Sequence, residues 1–386
     1  MKKICVVTGS RAEYSLLNPI MKSIEDDKDL ILQVVVTGSH LSQEFGLTYK
    51  NIEEDGFFID EKVEMLLSSD TKIGINKSIG LAIISFGEVF ERLKPDLIVV
   101  LGDRYEILSV CICAIVCNIK IAHIHGGEIT EGAIDDSIRH SVTKMSNLHF
   151  TSTEEYRKRV IQLGEQPKFV FNVGAIGTQN IKKLNLLNKS ELEKRLNFKI
   201  NKNTIIVTFH TVTLDRMSSE EQFQGILDAI DNIKNINVIF TKANADTDGR
   251  IINHMIDEYV SKNTNTISFD TMGQLNYFSS LQFVDAVVGN SSSGIIEVPS
   301  FNIPTVNIGN RQKGRIYSNS VIHCDYDKEN IELAINKAIS EDFKEKIKKY
   351  SNPYEKENTC ENIIYNIKQY LKSNKDNTKQ FYDIKF

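Results

Sequence analysis

The chain has 386 residues, 41% of them hydrophobic and 25% charged, with a formal net charge of −5, which is too long for one ordinary core and suits two globular α/β domains. No basic stripe fits a nucleic-acid backbone and no run approaches the ~18 apolar residues that span a bilayer, so neither nucleic acid nor membrane is expected as a partner. The cysteines, Cys5, Cys111, Cys113, Cys117, Cys324 and Cys360, show no Cys-x-x-Cys spacing and read as buried thiols of a reduced, cytoplasmic compartment.

The chain opens on MKKICVVT, whose apolar run is too short for a signal peptide and is cut off by Gly9, Ser10 and Arg11; it reads as a buried strand over Lys3–Thr8. Further β-branched runs predict strands at Leu32–Thr37, Leu97–Leu101, Ile119–Ile124, Leu148–Thr151 and Phe169–Asn172. Between them lie helical patterns at Ser15–Glu25, Ile73–Leu93, Glu106–Cys117, Asp135–Ser146 and Glu154–Leu163. After a polar stretch around Asn185–Asn203 the alternation repeats. Strands are predicted at Thr204–Thr208, Val238–Thr241, Thr266–Ser268, Ala286–Val288, Thr305–Ile308 and Val321–His323, and helices at Ser219–Ile233, Gly249–Val260, Gly273–Leu281 and Ser293–Val298. Asn330–Tyr350 and Cys360–Ser373 read as helices separated by the helix-breaking Ser351-Asn352-Pro353-Tyr354, and the polar tail from Asn374 has no period that imposes structure. Such alternation implies two similar α/β halves, each a parallel sheet with helices on both faces.

Ligands of open parallel sheets bind outside the carboxyl ends of the strands, and those positions are loaded with polar residues here. The first half offers Gly9-Ser10-Arg11-Ala12-Glu13, Gly38-Ser39-His40, Gly102-Asp103-Arg104 and His123-Ile124-His125-Gly126-Gly127-Glu128. The second offers His210, Asn244 and Gly289-Asn290-Ser291-Ser292-Ser293-Gly294. A small-residue loop before a helix leaves backbone N–H groups for a phosphate, although the same serines also suit simple N-capping. Glu297, one turn on, fits ribose hydroxyls better than phosphate, and Arg311 could clamp a diphosphate. Asp135 and Arg139 share a helix face, as do Asp136 and His140, a pattern that by itself reads as a surface ion pair. Asp103 lies beside Arg104 at a sheet edge, where burial raises a carboxyl pKa and a cation lowers it. His123 and His125 would point to one side of a strand as metal ligands do, but the further ligands of such a site are not evident.

Taken together, GSRAEYS (9–15), TGSHLS (37–42), LGDRYE (101–106), HIHGGE (123–128), DDSIRHSVTKMS (135–146), TFHTVTL (208–214), GNSSSGIIEVPS (289–300) and NIGNRQKGR (307–315) resemble, nearly end to end and in order, the hydrolysing UDP-N-acetylglucosamine 2-epimerases of sialic acid biosynthesis. The resemblance implies a GT-B fold: two Rossmann-like domains with parallel sheets, 1–173 plus 360–386 and 174–359, with the active site in the interdomain cleft and the nucleotide held mainly by the second. By motif position Arg11, Ser15, Arg104, His210, Asn244, Asn290, Ser291, Ser292, Glu297 and Arg311 would contact the nucleotide. Asp103, His125, Glu128, Glu131, Asp135 and Arg139 would face the sugar.

Many relatives carry a glutamate where this chain has His125, so the acid–base role falls to that imidazole or to Glu128 or Glu131; Thr211 stands where proline usually follows the histidine. The implied reaction removes the C2 proton, expels UDP from C1 to give a 2-acetamidoglucal, and adds water with C2 inverted, with no cofactor and no metal. Some relatives act instead on a UDP-2,4-diacetamido-2,4,6-trideoxy sugar toward legionaminic acid, and the motifs do not separate the two donors. A non-hydrolysing epimerase and a GT-B glycosyltransferase are the alternatives. UDP-sugar and UDP are the expected ligands, and a homo-oligomer, dimer or tetramer, is expected.

Overall fold

The computed structural model describes the chain apart from residues 68–70, 131–133, 212–216, 244–248, 374–377 and 385–386 and the side chain of Lys183. It divides into two compact units, Met1–Gln179 with Lys356–Phe386, and Asn180–Glu355. The chain therefore changes unit after Gln179 and after Glu355, where the sequence reading placed the changes after 173 and 359.

Unit 1 is built on a seven-stranded sheet of β1 (Lys2–Thr8), β2 (Leu30–Thr37), β3 (Glu61–Val63), β4 (Leu97–Leu101), β5 (Lys120–Ile124), β6 (Leu148–Thr151) and β7 (Val170–Asn172), in the order β3-β2-β1-β4-β5-β6-β7. All pairings are parallel. Its helices are α1 (Arg11–Glu25), α2 (Tyr49–Glu54), α3 (Lys72–Leu93), α4 (Tyr105–Val116), α5 (Ile134–Met145), α6 (Glu154–Gln162) and α7 (Ile176–Lys183), which runs on into unit 2. A strand's side chains alternate between faces, so both faces of β1 must be covered. Ile4 and Val6 join one core with Leu17 and Ile20 of α1, whereas Cys5 and Val7 join another with Phe86 of α3 and Ile107 and Val110 of α4. The sequence reading missed α2 and β3, which are short and polar; β3 is the edge strand of the sheet. It also placed all six thiols inside, whereas Cys117 at the end of α4 is exposed. With 22 residues, α3 is long and apolar enough by length and composition to cross a bilayer, contrary to expectation. One side of it packs on the sheet through Ala82, Phe86 and Phe90, and the other carries the exposed Ile73 and Ile84.

Unit 2 repeats the plan with six parallel strands, β8 (Thr204–Thr208), β9 (Asn237–Thr241), β10 (Thr266–Phe269), β11 (Ala286–Gly289), β12 (Thr305–Ile308) and β13 (Val321–Cys324), ordered β10-β9-β8-β11-β12-β13. Around them lie α8 (Lys189–Leu196), α9 (Ser219–Asn232), α10 (Gly249–Lys262), α11 (Gly273–Ser280), α12 (Ser293–Ile296), α13 (Lys328–Ile339) and α14 (Glu341–Ile347). Ile205 and Val207 face α9 and α13, and Ile206 faces α8 and α11. The stretch read as a polar connector contains α8, nucleated by a reciprocal capping box between Asn188 and Glu191. The single helix expected over 330–350 is two. Ser340 is extended and its hydroxyl accepts from the Phe343 amide, so a fresh N-terminus begins there with Glu341 and Asp342 in its first turn.

The chain returns to unit 1 as α15 (Thr359–Ser373). The tail beyond it, expected to lack imposed structure, seats Lys379 on Glu165 at 2.7 Å, and the Phe381 ring lies where a Cβ on Gly164 would be. In both sheets the chain runs outward in opposite directions from a central pair, β1/β4 and β8/β11, and the loops after those strands are where ligands of such sheets bind.

Candidate active site

In unit 1 the residues after β4 and β5 converge on Arg139. Arg139 is 3% exposed, and a charge that deep requires partners on every side. It donates to the Asp103 carboxylate, to the Glu128 carbonyl at 2.9 Å and to the Thr130 hydroxyl at 3.0 Å. The surface pairing with Asp135 read from the four-residue spacing is therefore corrected. The face of α5 that carries Arg139 also buries Ile138 and Val142 against the sheet. Asp136 lies 3.7 Å from Arg139 and 3.5 Å from His140, and also accepts from the Thr130 amide at 2.8 Å. Asp135 is half-buried; burial, and then the Asp103 charge, raises its pKa above the usual carboxylate value.

Asp103 and Arg104, adjacent in sequence, part company. Arg104 turns to Glu106 on α4, its Nη2 3.0 Å and its Nε 3.3 Å from the carboxylate. Burial works against the Arg104 charge, but the Glu106 carboxylate outweighs it and raises the guanidinium pKa. Arg11 and Ser15 stand exposed on the first turns of α1, the Ser15 hydroxyl donating back to the Arg11 carbonyl.

His123 and His125 do not share a strand face. His123 ends inside β5 with its ring nitrogens against the Gly102 carbonyl at 2.8 Å and the Thr143 hydroxyl at 3.1 Å, and burial depresses its pKa to about 3. His125 lies past the strand in the left-handed region, φ 66°, a strained backbone for a residue with a Cβ. Its Nδ1 is 3.6 Å from Glu128, whose buried carboxylate accepts from the Ser152 hydroxyl at 3.1 Å. Glu131 lies outside the described residues.

In unit 2 the hub is Asn290, fully buried after β11. Its side-chain amide accepts from the His210 N–H at 2.8 Å and donates to the His210 carbonyl at 2.7 Å, like an extra rung between β8 and β11. Its own carbonyl accepts from Arg311 at 3.0 Å and Gln312 at 2.8 Å. The preceding Gly289 has φ +133°, and a Cβ there would lie 1.9 Å from the Thr208 carbonyl, so only glycine lets the strands close. Asn290 thus ties the histidine, through its side-chain amide, to the arginine, through its backbone carbonyl. The amides of Ser291 and Ser292 donate to nothing among the described residues. The helix expected over 293–298 is the single turn α12, because Pro299 belongs to a separate 3₁₀ turn over Val298–Phe301. The donors at the loop are therefore local amides rather than the end of a long dipole. Glu297 follows α12, and Asn244 lies outside the described residues. Sequence reasoning gave no role to Glu13, Glu106, Ser152 or Gln312. The first two were visible as acids within GSRAE and DRYE, but their burial was not.

The family model described as UDP-N-acetylglucosamine 2-epimerase matches residues 22–368. The GDP/UDP-N,N'-diacetylbacillosamine 2-epimerase (hydrolyzing) of Campylobacter jejuni is 46% identical over 345 residues, 89% of each chain. The polysialic acid biosynthesis protein P7 of Escherichia coli is 42% identical over 385 residues, covering 100% of this chain and 98% of that one. A crystal structure of a putative UDP-N-acetylglucosamine 2-epimerase from Listeria monocytogenes superposes with a TM-score of 0.82 at 15% identity over 100% of both chains, a likeness of fold. With the motifs in order along the whole chain and the strand-end residues assembled as they are, this enzyme belongs to the UDP-N-acetylglucosamine 2-epimerase family.

Proposed function

We propose that the chain is a hydrolysing 2-epimerase that converts UDP-N-acetylglucosamine, or the related UDP-2,4-diacetamido-2,4,6-trideoxyglucose, to the free manno-configured sugar and UDP. Unit 2 holds the nucleotide through His210, the Ser291–Ser292 amides, Glu297 and Arg311, with Asn244 a further contact. Unit 1 adds Arg11, Ser15 and Arg104. Proton transfer falls to Asp103, Asp135, His125, Glu128 and Glu131. The observation that carries the reading is the pairing of the buried Arg139 with the partly exposed Asp103 after β4, beside an Asp135 whose pKa is raised. Two carboxyls in contrasting environments can divide the work, the ion-paired one taking the C2 proton and the other delivering a proton on hydration. His125, where many relatives carry a glutamate, can relay a proton to Glu128. The arginines stabilise the departing diphosphate.

The identity of 46% to a hydrolysing enzyme for a diacetamido sugar supports the hydrolytic outcome and a place in sialic or legionaminic acid biosynthesis for surface polysaccharide. The free cysteines support a cytoplasmic setting. Exposed Ile73 and Ile84 on α3 and Val116 on the adjacent α4 support self-association, a dimer or tetramer of this chain that sedimentation would reveal.

The deciding experiment is an NMR time course in D2O with each donor and no acceptor. Free N-acetylmannosamine-type sugar deuterated at C2, released with UDP, is the expected product. Return of an epimeric UDP-sugar would mean a non-hydrolysing enzyme. No turnover until an acceptor is added would mean a glycosyltransferase.

A further inference from the structure

Two buried carboxyls that the proton-transfer reading leaves unused meet where β1, β2 and β4 end. Glu106 is fully buried and presents both oxygens to Arg104. Glu13, 6% exposed on the first turn of α1, accepts from the Gly9 amide at 2.7 Å through Oε2, while its Oε1 has no partner among the described residues. The approach is tight: a Cβ on Gly38 would lie 2.8 Å from the Gly9 carbonyl and 3.1 Å from Glu106 Oε1. Arg104 itself has 46% of its side chain exposed, so the edge turned away from Glu106 faces outward.

We propose that Glu106 is a positioning residue for Arg104, fixing the guanidinium at the end of β4, and that Glu13, buried beside this pair with one oxygen unpartnered among the described residues, sets how much negative charge the cluster turns toward the ligand's diphosphate. The inference deepens the proposed function and rests on Arg104 touching the nucleotide.

A guanidinium paired to one carboxylate is locally neutral and can still offer its outer N–H groups to an anion, whereas a second ionised carboxyl beside it leaves net negative charge. Burial pushes the Glu13 carboxyl up to about 7; the Gly9 N–H and Arg104 oppose this, and Glu106 and Asp103 add to it. The other charged or titratable groups around this edge are Tyr105 at the start of α4, Asp135 and Arg139 on α5, and His40 after β2, which burial holds at about 4 and so neutral. Glu13 could serve merely as a helix-start cap, so the test keeps the cap. Glutamine can still accept from the Gly9 amide but cannot ionise.

Affinity for UDP-glucose, whose diphosphate does not titrate in this range, is measured by calorimetry from about pH 6.5 to about 8.5. Wild-type affinity should fall about threefold or more as Glu13 ionises, while Glu13→Gln should show no such fall. Glu106→Gln should bind about tenfold more weakly at every pH, and Glu106→Asp, which keeps the charge, should recover part of the loss. A Glu13→Gln variant with the wild-type pH slope, or a folded Glu106→Gln variant with wild-type affinity, overturns the proposal. Arg104→Gln separates the two levels. If it binds as wild type, the nucleotide assignment of Arg104 is wrong; if it binds weakly while Glu106→Gln does not, only the positioning roles are wrong.

Discussion

Among the described residues Asp103 pairs with one charged group, Arg139, while Arg104 pairs with Glu106 instead. Asp103→Asn should therefore lower turnover by ~10² or more, as losses of general acid–base catalysis do, and leave UDP affinity nearly unchanged. Single-turnover UDP release alongside UDP binding tests this, with release at the wild-type rate removing Asp103 from the chemistry. The same variant leaves the buried Arg139 with only the longer contact to Asp136, at 3.7 Å, as counter-charge, so a drop in stability of up to about 3 kcal/mol is expected and rates must be taken on the folded fraction. Glu13 gives the opposite case, a carboxyl destabilised by ionisation. Its pKa is raised from 4.5 to about 7 in the folded chain, so the native state binds the proton more tightly. The stability linked to it is full below the unfolded value and is lost as pH rises through about 7. Glu13→Gln should thus gain thermal stability over wild type at about pH 8 relative to about pH 5, by at most about 3 kcal/mol. A stability difference that does not change with pH would mean that Glu13 is ionised throughout.

At the level of elements, strands such as LIVVL over Leu97–Leu101 were legible to the residue because a parallel strand buried on both faces is a continuous apolar run. Three-residue β3 and six-residue α2 carry too few apolar side chains for either period to register. The strand-end loops that carry the candidate site were legible as positions for the same reason as the strands. Their pairings were not, because spacing along α5 suggests Asp135 for Arg139, whereas the partner Asp103 comes from the loop after β4, a contact set by packing the helix on the sheet. The loop after β11 was legible by composition, yet it is followed by only one turn of helix. The phosphate contact proposed for it therefore rests on the amides of Ser291 and Ser292. Ser292→Pro, which deletes one of those donors and restricts the loop, should weaken UDP binding more than Ser291→Ala, which removes only a hydroxyl. Equal UDP affinities for the two variants would rule out the backbone contribution.

On the scale of the whole molecule, unit 2 is one continuous segment and unit 1 is not. The core of unit 1 includes Cys360, Ile363, Ile364, Ile367 and Tyr370 of α15, packed with Leu17 and Ile20 of α1. Polar contacts fasten the same helix: the Thr359 hydroxyl donates to the Val173 carbonyl at 2.7 Å, the Cys360 amide to Gln179 at 2.7 Å, and Lys368 pairs with Asp27 at 2.7 Å. Burying the isoleucines alone contributes on the order of 5–9 kcal/mol, an upper estimate because unfolded chains are partly compact. That is comparable to the whole stability of an ordinary domain, about 5–15 kcal/mol. A fragment ending at Gln179 should therefore expose the groove on α1 and fail to unfold cooperatively. A fragment spanning Asn180–Glu355, which contains all the strands of its sheet and the helices covering both faces, should fold alone and retain UDP binding. Adding the Lys356–Phe386 peptide to the first fragment should restore near-ultraviolet circular dichroism and a sharp melt, since the peptide supplies the missing face of the core. A cooperative melt of Met1–Gln179 alone, unchanged by the peptide, would mean that α15 only rests on a unit already complete.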